Sequence, residues 1–190
     1  MGETFFAVGR PGYYLLILVF LGCIAAVLYL NRRRTRTATR AEQLQKTYAV
    51  MTPALLEKTP DEEVVSAVIA NLMGKLKEHN PDPLITMPQQ SIGRSAVYFC
   101  WLLCKEAEKN GVAALLQKPS VRFADIGEES FKIVGANATA DAFAAYRETP
   151  SEETAAALES ALQTERPLTL CVAYIRSLPE EFTDESKVSA

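Results

Sequence analysis

The chain has 190 residues, with 20 Lys+Arg against 23 Asp+Glu, one His and a formal charge of −3. A single histidine excludes most histidine-centred mechanisms, because a general base needs a positioned partner. The charge is unevenly placed. Residues 1–40 hold six basic side chains and one acidic one, whereas residues 41–190 hold fourteen basic and twenty-two acidic. That acidic remainder disfavours nucleic-acid binding, which needs clustered bases.

Residues 1–11 are expected to form a short extracytoplasmic N-terminus. Residues 12–30, GYYLLILVFLGCIAAVLYL, contain no charge. Nineteen residues at ~1.5 Å each reach roughly 28 Å, close to a ~30 Å hydrocarbon core. Tyr13 and Tyr14 at one end and Tyr29 at the other suit the headgroup level. The alternative is a cleaved signal peptide, which carries its basic residues before the apolar run. Here the basic cluster Arg32, Arg33, Arg34, Arg36 and Arg40 comes after it, so a retained anchor is expected. Basic flanks stay on the cytoplasmic side. The expectation is therefore a single-pass cell-membrane protein, N-terminus outside and C-terminal domain cytoplasmic. The arginines also suit anionic headgroups, at about 1 kcal/mol each near the surface. Gly22 and Ala26 make a small-xxx-small pair through which copies of the span could meet.

Residues 31–52 read as a basic juxtamembrane linker running into a short helix. Residues 53–178 read as one helical domain, of a size that buries a core by itself. Thr59-Pro60-Asp61-Glu62 looks like a helix start, with Thr59 as cap and Glu62 completing a capping box. Val64, Val65, Val68, Ile69, Leu72, Met73 and Leu76 follow at helical spacing, which predicts a helix over 61–78. Three prolines make residues 80–90 a loop, and His79 closes the preceding helix near its negative end.

Ser91 opens the next helix. Its run Ala96–Cys104 is apolar on every face and belongs at the centre of a bundle, and Asn110-Gly111 stops it. A short helical piece is expected at 112–117, then helices at 121–134, 138–147, 155–163 and 168–178. Thr149-Pro150-Ser151-Glu152 repeats the start signal seen at Thr59. Residues 179–190 are expected to be an acidic flexible tail. The fold class is all-α: an N-terminal transmembrane helix and a compact cytoplasmic helical bundle, with no alternating strand–helix units.

No catalytic constellation is present: no phosphate loop, no nucleophile elbow and no paired-histidine helix. Cys23 lies in the apolar span. Cys100, Cys104 and Cys171 sit in apolar runs like ordinary buried thiols. Cys100 and Cys104 share a helix face, but the four ligands of a structural zinc site have no recognisable spacing. No metal and no cofactor is expected. Most acidic pairs read as solvated faces, although scattered acids such as Glu106 and Glu128 could assemble an enzyme site.

Residues 92–146, from IGRSAVYFCWLLCKEAEKNG to IVGANATADAFAAY, resemble the bacterial DNA-mimic-protein-like family, a domain of unknown function. The family has an apolar helix ending in Glu, an Asn/Gly turn, a short apolar helix, a further turn, and a helix ending in Ile-Gly-Ala. Glu106, Asn110 and Gly111, then Pro119-Ser120, then Val134-Gly135-Ala136, hold those places here. The resemblance implies a helical fold and, through a named member, imitation of DNA by surface carboxylates. The residues themselves favour a non-enzymatic module that binds an unidentified protein partner. An acidic DNA mimic and an enzyme with a carboxylate site are the alternatives.

Overall fold

The computed structural model describes the backbone of residues 11–184 and the side chains of residues 17–29 and 40–184. The expected N-terminal segment 1–11 lies outside these residues except for Pro11, as do the side chains of Tyr13, Tyr14, Arg32, Arg33, Arg34 and Arg36. All described regular structure is helical. The chain divides into two compact units, Met1–Gln43 and Leu44–Ala190.

The first unit contains most of helix α1, Pro11–Thr47. The linker expected to begin at residue 31 is not a separate segment, since α1 runs through it. Residues 31–47 contain no Gly or Pro, and Arg, Ala, Gln, Glu, Leu and Lys propagate a helix well. Every residue from 17 to 29 is exposed, with Leu18 at 69%, Phe20 at 64% and Leu28 at 62%. Tyr29 is exposed too. Among the described residues no helix is long and apolar enough to cross a membrane.

The second unit is built from α2 (Pro53–Lys58), α3 (Asp61–Glu78), α4 (Pro83–Thr86), α5 (Ile92–Asn110), α6 (Ala124–Ile133), α7 (Asn137–Glu148), α8 (Glu152–Glu165) and α9 (Pro167–Ser177). Short 3-10 turns at Met87–Gln89, Val112–Leu116, Ser120–Phe123 and Pro179–Phe182 join or follow them. Helix α5 is the central element and packs against α3, α6 and α9. Val97, Phe99, Cys100 and Leu103 supply its buried positions, and Trp101 is only half-buried at its edge. Phe131 and Phe143 meet edge to face at 5.9 Å, joining α6 to α7. Leu72, Leu158 and Ile175 are fully buried from α3, α8 and α9. Each large apolar side chain so buried contributes about 1.5–3 kcal/mol.

Gly127 explains how α5 and α6 approach so closely. A Cβ there would stand 2.1 Å from Leu103 Cδ1, so the leucine occupies the space a side chain would need. Gly135 does a different job. At φ +85° it ends α6, and the amide of Ala136 reaches back to the Phe131 carbonyl at 2.8 Å. That bond satisfies a helix-end carbonyl left without an intrahelical partner.

Several expected boundaries move. Helix α3 spans the expected 61–78, but Thr59 does not cap it. Thr59 is extended and donates its hydroxyl to the Leu55 carbonyl at 2.7 Å, Pro60 is extended as well, and α3 begins at Asp61. The cause is that α2 claims Thr59, whose amide bonds back to the Leu55 carbonyl, so the cap position of α3 falls to Pro60. The same shift occurs at Thr149. There Ser151 is the cap, exchanging bonds with Thr154 at 3.2 and 3.0 Å in a capping box. The proline-rich segment 80–90 is not a plain loop, because Asp82 caps α4 by accepting from the Leu84 amide. The helix expected over 121–134 starts as a 3-10 turn and becomes α6 only at Ala124.

The largest shift is at the C-terminus. Residues 179–184 of the expected flexible tail form a 3-10 turn and a segment bonded to Met51. Phe182 is 1% exposed and packs edge to face on Tyr174 at 6.1 Å.

Candidate functional site

One set of polar groups in the second unit converges in a cleft between α3, the start of α5 and the segment after α9. It has a volume of about 670 Å³, and its walls include Lys75, His79, Ser91, Arg94, Glu181 and Asp184. Helical spacing places Asn71 and Lys75 one turn apart on α3, on the face that meets the C-terminal segment. Ser91 caps α5 by accepting from the Arg94 amide at 3.2 Å, which fixes Arg94 in the first turn.

Asp184 is the centre of the cluster. Its carboxylate accepts from the Met51 amide at 2.8 Å, Asn71 Nδ2 at 3.0 Å, Lys75 Nζ at 2.5 Å and Arg94 Nη2 at 2.8 Å. Its own amide donates to the Met51 carbonyl at 2.7 Å. Burial pushes the carboxyl pKa up, but the bonds from Lys75, Met51 and Arg94 outweigh it and hold the group at about 2. Charge-assisted bonds of this kind are the strong ones. Asn71 Nδ2 also donates to the Tyr48 and Ala49 carbonyls, tying the end of α1 to the same point.

Glu181 makes a second clasp three residues earlier. Its carboxylate accepts from the Gly93 amide at 2.7 Å, and its carbonyl accepts from Ser91 Oγ at 3.0 Å. An acid suits this position because the first amides of a helix have no intrahelical partner and carry its positive end. Gly93 is needed for the approach, since a Cβ there would lie 2.5 Å from Glu181 Oε2.

A carboxylate that already accepts four bonds and stays ionised to about pH 2 is a poor general base. His79 lies on the cleft wall and caps the end of α3 with a backbone bond from its amide to the Lys75 carbonyl at 3.0 Å. Glu106 and Glu128, the acids singled out as scattered candidates, are not brought together here. Glu106 accepts from Asn110 Nδ2 at 2.9 Å on the surface of α5, and Gly111 ends that helix at φ +81°. Glu128 pairs with Lys132 and with Arg147, both at 2.9 Å. The Glu106–Asn110–Gly111 motif therefore closes on itself as a helix end.

The thiols form a separate cluster. Cys100 and Cys171 are buried with their sulfurs 3.5 Å apart, and Cys104 is half-buried. Bonding to Cys104 and Cys171, with burial, pushes the Cys100 thiol well up, which makes it inert. Cys104 edges a second cleft of about 540 Å³ with Ala107, Val112, Leu162 and Arg166. Among the described residues no group of three or more His, Cys, Asp or Glu is arranged to hold a metal.

Sequence reasoning missed Lys75, Asn71, Arg94, Glu181 and Asp184. Two signals were available. Arg94 interrupts the buried face of an apolar helix, and Phe182 is an aromatic residue inside an acidic tail. Each is costly in isolation, one as a buried charge and the other as an exposed ring. No family model matches the chain, and no curated protein and no solved structure matches it either.

Proposed function

We propose that this is a single-pass membrane protein that holds a non-enzymatic helical interaction module at the cytoplasmic face. One observation carries the tether: residues 17–29 of α1 are apolar but exposed around the whole helix. A monomeric soluble protein rarely leaves so large a contiguous apolar surface uncovered. A lipid bilayer covers it, with the uncharged sequence 12–30 as the full span and Arg32, Arg33, Arg34, Arg36 and Arg40 as the cytoplasmic flank. The acidic second unit is repelled by an anionic leaflet, so it stands off the membrane and offers its surface to a protein partner.

The ion pairs favour this reading over DNA mimicry. Asp61 is bound by Arg176, Asp82 by Arg122, Asp125 by Arg147 and Asp184 by Lys75 and Arg94. A mimic needs unneutralised carboxylates in a dense array.

Two measurements test the proposal. Alkaline carbonate should leave the chain in the membrane pellet, and protease added outside intact cells should spare residues 44–184. Release by carbonate, or external loss of that unit, removes the tether. Partner capture from solubilised membranes should be reproducible and should survive loss of the Gly22–Ala26 contact through Gly22→Leu. Capture that disappears with Gly22→Leu assigns the association to the span, and the module reading fails.

A further inference from the structure

We propose that the cleft between α3 and α5 is a receptor for acidic protein segments of the pattern carboxylate–aromatic–any–carboxylate, and that Glu181-Phe182-Thr183-Asp184 is its intramolecular occupant. This deepens the reading of the domain as an interaction module and rests on it for the existence of a partner. The recognition chemistry is complete in the structure. The first carboxylate sits on the Gly93 amide, in the first turn of α5, where amides lack an intrahelical partner. The ring of Phe182 is buried against Tyr174. The second carboxylate is held by Asn71, Lys75 and Arg94. Met51 supplies the backbone, its amide bonding that carboxylate and its carbonyl accepting from the Asp184 amide. These are the parts of a peptide site: backbone pairing for affinity, an apolar slot and fixed donors for specificity.

Charge complementarity fixes the class of ligand. Among the described residues, Lys75 and Arg94 pair with no carboxylate but Asp184. With the segment lifted away, two cations and a helix-start amide face the same space, and Glu78 and Glu180 are the acids that remain on the wall among the described residues. An acidic segment restores the balance, whereas a basic or neutral one leaves both cations unpaired.

The cleft is also reachable while occupied. The bound segment fills one wall, and about 670 Å³ stays open beside it, lined by His79, Gln89, Gln90 and Ser91. The side chain of Lys75 is 22% exposed, so an incoming carboxylate can meet it before Asp184 leaves.

The test uses the detergent-solubilised full chain and a synthetic peptide of residues 178–186, LPEEFTDES. Hydrogen exchange of wild type should show the Thr183 and Asp184 amides opening at least a hundredfold more often than the buried amides of α5. Equal protection makes the segment part of the core and overturns the proposal. The double variant Phe182→Ala/Asp184→Asn vacates the cleft from within. Added peptide should bind it saturably and raise its Tm, and binding should weaken at least tenfold when the peptide carries Ala for Phe182 or Asn for Asp184. Absence of saturable binding up to millimolar peptide overturns it. Should the double variant not fold, the peptide is added to wild type, where faster exchange at residues 182–184 supports the proposal and unchanged exchange overturns it. Peptide binding by a chain that captures no membrane partner keeps the receptor and removes only the partner reading.

Discussion

The two ends of α5 are closed in opposite ways. At its C-terminal end the helix uses its own residues: Glu106 and Asn110 bond one turn apart, and Gly111 takes the positive φ that ends it. At its N-terminal end the local cap Ser91 is joined by residues about ninety positions away. Glu181 caps Gly93, and Asp184 neutralises Arg94. The local closure is exposed and replaceable. The distant closure joins Glu181 and Asp184 to α3, α5 and the end of α1, so several elements depend on it. Acidic residues of similar type thus do unequal work, and sequence separation predicts which matters more.

Substitutions at the two ends should separate these roles, measured by pulse proteolysis of the full chain. The largest effect is expected for Phe182→Ala, which empties a buried aromatic site and should cost about 4 kcal/mol. A loss below about 1 kcal/mol would mean that the segment adds little to the fold. Asp184→Ala should follow at about 3 kcal/mol, because it leaves the nearly buried Arg94 without a counter-charge. Double substitution with Arg94→Met should recover part of that loss, and a double variant as unstable as Asp184→Ala would show that the pair is not the cause.

Acid should weaken the same end. The Asp184 pKa is depressed from 3.8 to about 2, so its stabilisation is present above about pH 4 and is lost as pH falls to about 2. After allowance for solvent screening, the amount is about 1–2 kcal/mol. An Asp184→Asn chain should lack this step, and an unchanged acid profile would assign it elsewhere. At the other end Gly111→Ala should cost about 1 kcal/mol through the left-handed backbone it must adopt. Glu106→Ala should cost no more than about 0.5 kcal/mol. A Glu106 loss as large as that of Asp184 would erase the contrast between the two ends.

The same division governs what could be read in advance. Helices α3, α5, α8 and α9 were legible because their apolar spacing, caps and stops act within a few residues. The central place of α5 followed from its nine-residue apolar run. Thr59 and Thr149 were misjudged because each follows one helix and precedes another, and the earlier helix claims the residue. Thr59 bonds back to Leu55, and the Thr149 amide bonds to the Ala145 carbonyl. The break expected at residue 31 came from a change in polarity. Backbone hydrogen bonds do not register polarity, so α1 continues through it.

By itself the sequence determined an uncharged apolar segment, a basic flank after it, an acidic all-helical body and the order of its helices. These are local properties, set by side-chain type and by spacing along the backbone. Only the tertiary structure decided that the acidic end is a clasp. The bonds from Asp184 to Asn71, Lys75 and Arg94 each span ninety residues or more. No local pattern encodes such a meeting, because it depends on how α3, α5 and α9 pack around one shared core.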